Sequence, residues 1–230
     1  MNEIMLSSAT IGVVISLLAY FLGVFLKEKT KKGIFNPLLI SILLVIAFLL
    51  LFDIEYESYN HSAKYLSYLL TPATVCLAIP LYQKFTLLKK YPIAILVGIT
   101  SGVLTSLLSV FGLSLLFKLS YEEFVTLLPK SITTAIGLGV SKELGGYESI
   151  TATAIILTGV LGNLMGELIC KVFRIRHAIS RGLALGTSSH AIGTTKALEL
   201  GETEGAMSSL SIVVAGLLTV VLASVFAMIY

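Results

Sequence analysis

The chain has 230 residues, of which 56% are hydrophobic and only 13% charged, with a formal net charge of +3. Soluble domains carry about 25% charged and about 45–50% apolar residues. The shortfall in charge excludes a disordered chain, a nucleic-acid binder and an ordinary cytosolic enzyme. The small positive balance sits in short loops, which is the pattern that orients a membrane protein. Cys76 and Cys170 lie far apart in apolar runs, so no CxxC pair and no disulfide framework is formed. There is no Trp, and an interfacial aromatic belt must come from the ten Tyr.

Charges punctuate the chain. Uncharged stretches run over Ile4–Leu26, Gly33–Phe52, Tyr65–Gln83, Tyr91–Phe117, Ser149–Gly166 and Gly205–Tyr230, each of 18–27 residues. About 20 apolar residues cross a bilayer as a helix, so six full spans are expected. Ile4–Leu26 is too long for a signal-peptide core, and its basic residues follow it. Two further stretches, Ser131–Ser141 and Gly182–Thr195, are uncharged but short, and rich in Gly, Ser and Thr. Irregular backbone at membrane depth survives only where protein or a watery cavity satisfies it.

Loop charge sets the orientation. The run Lys27-Glu28-Lys29-Thr30-Lys31-Lys32 is expected in the cytoplasm, and the loop with Asp53, Glu55 and Glu57 outside. Lys84, Lys89 and Lys90 return inside, and Lys118, Glu122 and Glu123 lie outside. The late cluster Lys171, Arg174, Arg176, His177 and Arg181 faces the cytoplasm only if 124–146 dips in and returns. A re-entrant hairpin is therefore expected at 124–146, with a broken crossing helix as its rival.

The chain also repeats itself at a shift of 56. Ala135-Ile136-Gly137 matches Ala191-Ile192-Gly193, Glu143-Leu144-Gly145 matches Glu199-Leu200-Gly201, and Glu148 matches Glu204. Ser131 stands opposite Thr187, and Thr133 opposite Ser189. With the hairpin, the two copies would run in opposite senses. Inverted repeats with interrupted polar segments at matching positions mark the substrate site of secondary transporters.

Those segments supply the candidate site residues. Lys130, Ser131, Thr133 and Thr134 lie in the first, and Thr187, Ser188, Ser189, His190 and Lys196 in the second. Hydroxyls, freed N–H groups and lysines together suit a small carboxylate. Thr71 and Thr74 flank Pro72 in a stretch that also contains Pro80, and read as a broken helix lining the site. His190, the histidine within a candidate membrane segment, is a proton-coupling candidate, with Glu167 and Asn163, which are four apart on one helix face. Packing and interface roles are the alternatives for these three. Gly159, Gly162 and Gly166 read as close helix packing. No phosphate-binding loop, HExxH, Cys/His cluster or Gly-x-Ser-x-Gly elbow is present, so neither catalysis nor a cofactor or metal is expected.

The strings LLTPATVCLAIPLYQKF (69–85), LLPKSITTAIGL (127–138) and GTSSHAIGTTKALELGETEGAMSSLS (186–211) resemble the LrgB/CidB family of bacterial membrane proteins over nearly the whole chain. The resemblance implies an antiholin-like protein acting with a small LrgA/CidA-type partner in control of murein hydrolases and autolysis. It also implies kinship with a plastid glycolate/glycerate transporter, with bacterial pyruvate transport, and with a superfamily of antiporters built on inverted repeats.

Together these readings give an all-α polytopic protein of the bacterial cytoplasmic membrane. It has an inverted-repeat transporter-like fold of about six full spans plus two short re-entrant or broken helices. Residues 1–60 are expected to form scaffold helices that build a homodimer, and 61–230 a core with its repeat at 119–174 and 175–230. The expected function is carriage of small monocarboxylates such as pyruvate, glycolate or lactate by alternating access, with proton coupling as the candidate drive. The alternative is a non-transporting antiholin-like regulator.

Overall fold

A computed structural model describes residues 2–30 and 36–230, without the side chains of 2–4, 70, 71, 74, 80, 81, 87 and 88. Every described element is helical, and the chain divides into two compact units, Met1–Cys76 and Leu77–Tyr230.

The first unit contains α1 (Asn2–Ser7), α2 (Ile11–Thr30), α3 (Pro37–Leu51), α4 (Tyr56–Ala63), a 3-10 turn (Lys64–Leu69) and α5 (Leu70–Cys76). The expected first span is interrupted at its start, where Thr10 donates its amide to the Ser8 hydroxyl at 3.4 Å. Such local bonds compete with helix. Asn36 caps α3 by accepting from the amides of Leu38 and Leu39, and Pro37 takes the first helical position. Gly23 lets α2 approach this point, since a Cβ there would lie 2.7 Å from the Pro37 carbonyl oxygen. The Gly12 amide donates to Ser62 Oγ at 2.8 Å, and Ser16 Oγ meets Tyr59 Oη at 2.6 Å, so α4 is tied to α2 by polar contacts. Phe21, Phe25, Leu43 and Leu50 are exposed, as lipid-facing residues are.

The second unit contains α6 (Ala78–Gln83), α7 (Phe85–Lys90), α8 (Pro92–Phe117), α9 (Tyr121–Leu127), α10 (Thr134–Glu143), α11 (Glu148–Val172), α12 (Ala178–Leu200) and α13 (Glu202–Ile229). Its core is a stripe of α8, Ile95, Ile99, Val103, Leu107 and Val110, packed with Phe124, Val125 and Leu128 and with small residues of α13. On α13, Ser211, Ala215, Thr219, Ala223 and Ala227 recur every four residues and are all buried. Small residues at this spacing let helices approach where lipid offers no hydrophobic drive. Phe111, Phe124, Phe226 and Tyr230 close one end, with Phe124 and Tyr230 stacked at 4.1 Å.

The most extensive contact joins α12 to α13. It depends on Gly182 and Gly186, one turn apart. A Cβ on Gly182 would strike the Glu204 carbonyl, and one on Gly186 would lie 2.5 Å from the Ser208 carbonyl oxygen.

Four helices are long and apolar enough to cross a membrane: Ile11–Thr30, Pro92–Phe117, Glu148–Val172 and Glu202–Ile229. They coincide with four of the six expected spans. In Gly33–Phe52 the described helix is the 15-residue α3, part of the stretch lying outside the described residues. Tyr65–Gln83 is not one helix but a 3-10 turn followed by α5 and α6. The region contains Pro72 and Pro80, and each proline removes a helical hydrogen bond and clashes with the preceding turn.

Gly186→Ala should cost about 1–3 kcal/mol through overpacking, read as a lower melting temperature in detergent. Gly112→Ala, where an added Cβ meets nothing within 4 Å, should leave stability unchanged or raise it slightly.

Candidate functional site

The site is organised by a break in α12. Ser189 has φ −138°, ψ 16° and His190 φ 43°, ψ −137°, so the helix stops and restarts at this pair. The sequence match between the copies has a local structural counterpart. Thr133, opposite Ser189, is extended (φ −66°, ψ 148°) and precedes α10. Ala135-Ile136-Gly137 and Ala191-Ile192-Gly193 each follow the irregular residues. Both helical stretches end just ahead of a Gly, Gly145 or Gly201, and a long helix follows.

A broken helix frees polar backbone groups, and α11 meets them with one face. His190 sits over Gly159, where a Cβ would lie 2.8 Å from Cε1. Its Nε2 lies 3.0 Å from the Ile155 carbonyl oxygen. One turn on, Asn163 Nδ2 donates to the Ile192 carbonyl at 2.8 Å and to Thr195 Oγ1 at 2.7 Å. One turn further, Glu167 pairs with Lys196 at 3.0 Å and with Lys171 at 2.8 Å. Residues 159, 163 and 167 thus form a buttress at four-residue spacing. Gly162 accommodates Ser189, whose hydroxyl occupies the space a Cβ would need. From the other side, Thr194 donates to the His190 carbonyl at 2.9 Å and its hydroxyl meets that of Ser208 on α13 at 2.7 Å. Arg181 and the buried Glu204 form an ion pair joining the start of α12 to α13.

Beside the break lies a cavity of about 680 Å³. Its lining brings together Lys130 and Ser131 from the first repeat with Thr187, Ser188 and Ser189 from the second. Lys130 Nζ donates to Ser131 Oγ at 3.0 Å and to Ser106 Oγ at 3.4 Å, and the two hydroxyls meet at 3.0 Å. The Ser188 and Ser189 hydroxyls lie 3.0 Å apart.

The remaining predicted residues stand elsewhere. Thr133 and Thr134 open α10, partly buried, and do not line the cavity. His190, Asn163, Glu167 and Lys196 belong to the buttress, and Lys196 also pairs with Glu199 at 3.3 Å. The side chains of Thr71 and Thr74 lie outside the described residues.

Sequence reasoning missed the wall supplied by α8. Gly98, Ser101, Gly102, Thr105, Ser106 and Ser109 line the cavity. They recur at spacings of three and four along a helix that mean hydropathy marks only as apolar. That periodic polar stripe was the available signal. Gly98 and Gly102 bring α8 close to α12, since a Cβ on Gly102 would lie 2.9 Å from Thr187 Oγ1. Ser101 donates to the Gly98 carbonyl, Thr105 to Ser101, Ser109 to Ser106 and Thr187 to Leu183.

Asn163→Leu should remove the donor shared by the Ile192 carbonyl and Thr195 Oγ1, with Thr195 still donating to that carbonyl, and cost about 1 kcal/mol. The check is a lower melting temperature together with faster amide exchange confined to 190–196. A uniform increase across α12 would instead indicate general loss of packing.

The profile of the LrgB-like family matches residues 16–229. The chain is 42% identical to the antiholin-like protein LrgB of Bacillus subtilis (strain 168) over 216 residues, covering 94% of each chain. It is 40% identical, with the same coverage, to the proteins of that name from Bacillus cereus (strain B4264) and Bacillus anthracis (strain CDC 684 / NRRL 3495). No solved structure matches. With its long apolar helices and this match across nearly its full length, the chain is a multi-pass cell-membrane protein and belongs to the LrgB family.

Proposed function

We propose that the protein is an antiholin-like membrane protein, acting with a small holin-like partner of the LrgA/CidA type and so restraining murein hydrolase activity and autolysis. The observation that carries this reading is the 42% identity, over 94% of both chains, to a relative named an antiholin-like protein. Co-expression with such a holin-like protein should delay lysis and membrane leakage relative to the partner alone. Unchanged lysis timing, with both proteins in the membrane, would overturn it.

A second reading is favoured by the cavity itself, and it is carriage of a small monocarboxylate. What supports it is a single lysine, Lys130, among hydroxyls contributed by both repeats. A protein that only packs against a partner has no need of such a space. Ionisable groups within membrane proteins are costly and are retained chiefly for function. In this reading the carboxylate lies against Lys130 and the Ser188–Ser189 pair, and α12 shifts at its break as access alternates. Purified protein in liposomes should accumulate labelled pyruvate or glycolate. Lys130→Ala should lower uptake at least tenfold, the equivalent of about 1.4 kcal/mol, while Lys142→Ala, on the exposed end of α10, should not. Absence of uptake by folded protein would leave the restraint reading alone.

A further inference from the structure

A second cavity, of about 290 Å³, lies where α11 ends and α12 begins. Lys171, Arg174, Arg176 and Arg181 line it, with Glu167 as its acidic member and Cys170, Ile175 and Leu200 completing the wall. The charge is one-sided beyond the simple count. Glu167 is already engaged by Lys171 and Lys196. Arg174 and Arg176 have no ion-pair partner among the described residues. Arg181 commits Nη2 to Glu204, yet its Nε is buried without a hydrogen-bond partner. Arg174 and Arg176 are exposed to solvent, but the buried guanidinium N–H of Arg181 is costly to leave unmet, and an orphan polar group of this kind calls for a partner.

The backbone holds these arginines in place. Arg174 follows α11 in the left-handed conformation (φ 55°), with its amide donating to the Lys171 carbonyl at 3.1 Å and that of Ile175 to Cys170 at 2.8 Å. This is the helix-ending turn in which Gly or Asn is usual. It joins Lys171, in the last turn of α11, to Arg176 and then to Arg181 in α12 within ten residues.

We propose that this cavity binds a phosphate group. Arginine forks match the oxygens of phosphate in pairs, and the two unpaired arginines, with the free Nε of Arg181, suit a ligand of one to two negative charges. The position favours the phosphate of an anionic phospholipid headgroup, because α11 is a helix long and apolar enough to span and the cavity begins at its last turn. Basic pockets between spanning helices take such headgroups. A soluble phosphate monoester has the same chemistry. The proposal is independent of both readings of the larger cavity, which shares none of these residues.

The test compares the full-length protein with an Arg174→Gln/Arg176→Gln variant by native mass spectrometry, from vesicles of phosphatidylglycerol mixed with phosphatidylcholine. Lipid adducts are counted with and without inorganic phosphate. The wild type should retain phosphatidylglycerol over phosphatidylcholine. The double variant should weaken that retention by about twenty-fivefold, given roughly fivefold per cation near a membrane surface. Arg174→Lys/Arg176→Lys should recover part of it. A Lys27→Gln/Lys29→Gln variant, which removes charge from another basic segment, should bind as the wild type does. An unchanged melting temperature for the Gln variant ties the loss to the site. Retained phosphatidylglycerol that inorganic phosphate does not displace assigns the site to lipid. Thermal stabilisation by inorganic phosphate in wild type but not in the Gln variant assigns it to a soluble ligand. Equal lipid retention by wild type and Gln variant, with no stabilisation by phosphate, overturns the proposal.

Discussion

An apolar surrounding offers no water to an exposed N–H or C=O, so a helix that breaks there must have its freed groups met from within the protein. The break at Ser189–His190 places that demand on everything around it. One face of α11 packs against the broken helix at three successive turns: Gly159 leaves room for the His190 ring, Asn163 donates to the Ile192 carbonyl, and Glu167 holds the Lys196 side chain. Thr194, on α12 itself, donates to the His190 carbonyl, and its hydroxyl meets that of Ser208 on α13. The glycines at 182 and 186 then bring α13 close enough for those bonds to form. The cavity exists because α12 is held broken beside it.

Two features of one helix, α11, thus serve different neighbours. Its middle supports the broken helix, and its last turn leads into the arginine-lined cavity. Glu167 borders both, bridging Lys196 of the buttress and Lys171 of the cavity wall. Removing Glu167 would strand the charge of the more buried Lys196 with Glu199 alone, whereas the exposed Lys171 would lose little. Substitutions at Glu167 should therefore be interpreted through both surroundings.

Much of this was legible in the residues. Runs without charge located the four long helices, and the Gly/Ser/Thr-rich stretch at 182–195 contained the break. The repeat brought Ser131 and Thr187 into correspondence, and both line the same cavity. Other parts were hidden for physical reasons. The break at Ser189–His190 depends on tertiary contacts, since neither residue is a helix breaker of the proline kind. Lys196 looks available in sequence, but its partners Glu167 and Glu199 come from a neighbouring helix and the next turn. The hydroxyl stripe of α8 was masked by the leucines and valines between its members. Tyr65–Gln83 is apolar enough to span, yet Pro72 and Pro80 divide it, because composition measures transfer into lipid and not helical continuity.

The hydroxyls that line the larger cavity carry a direction as well as polarity. Ser101, Thr105, Ser109 and Thr187 each give their single proton to a carbonyl of their own helix. What they turn toward any occupant is a lone pair. Lys130 has spent two of its three protons on Ser106 and Ser131. Donor capacity is therefore left chiefly at Lys130 and the Ser188–Ser189 pair, and acceptor capacity along the α8 wall. A molecule entering it meets protons for its anionic group at these few donors, while any hydroxyl it carries elsewhere finds oxygens ready to accept from it.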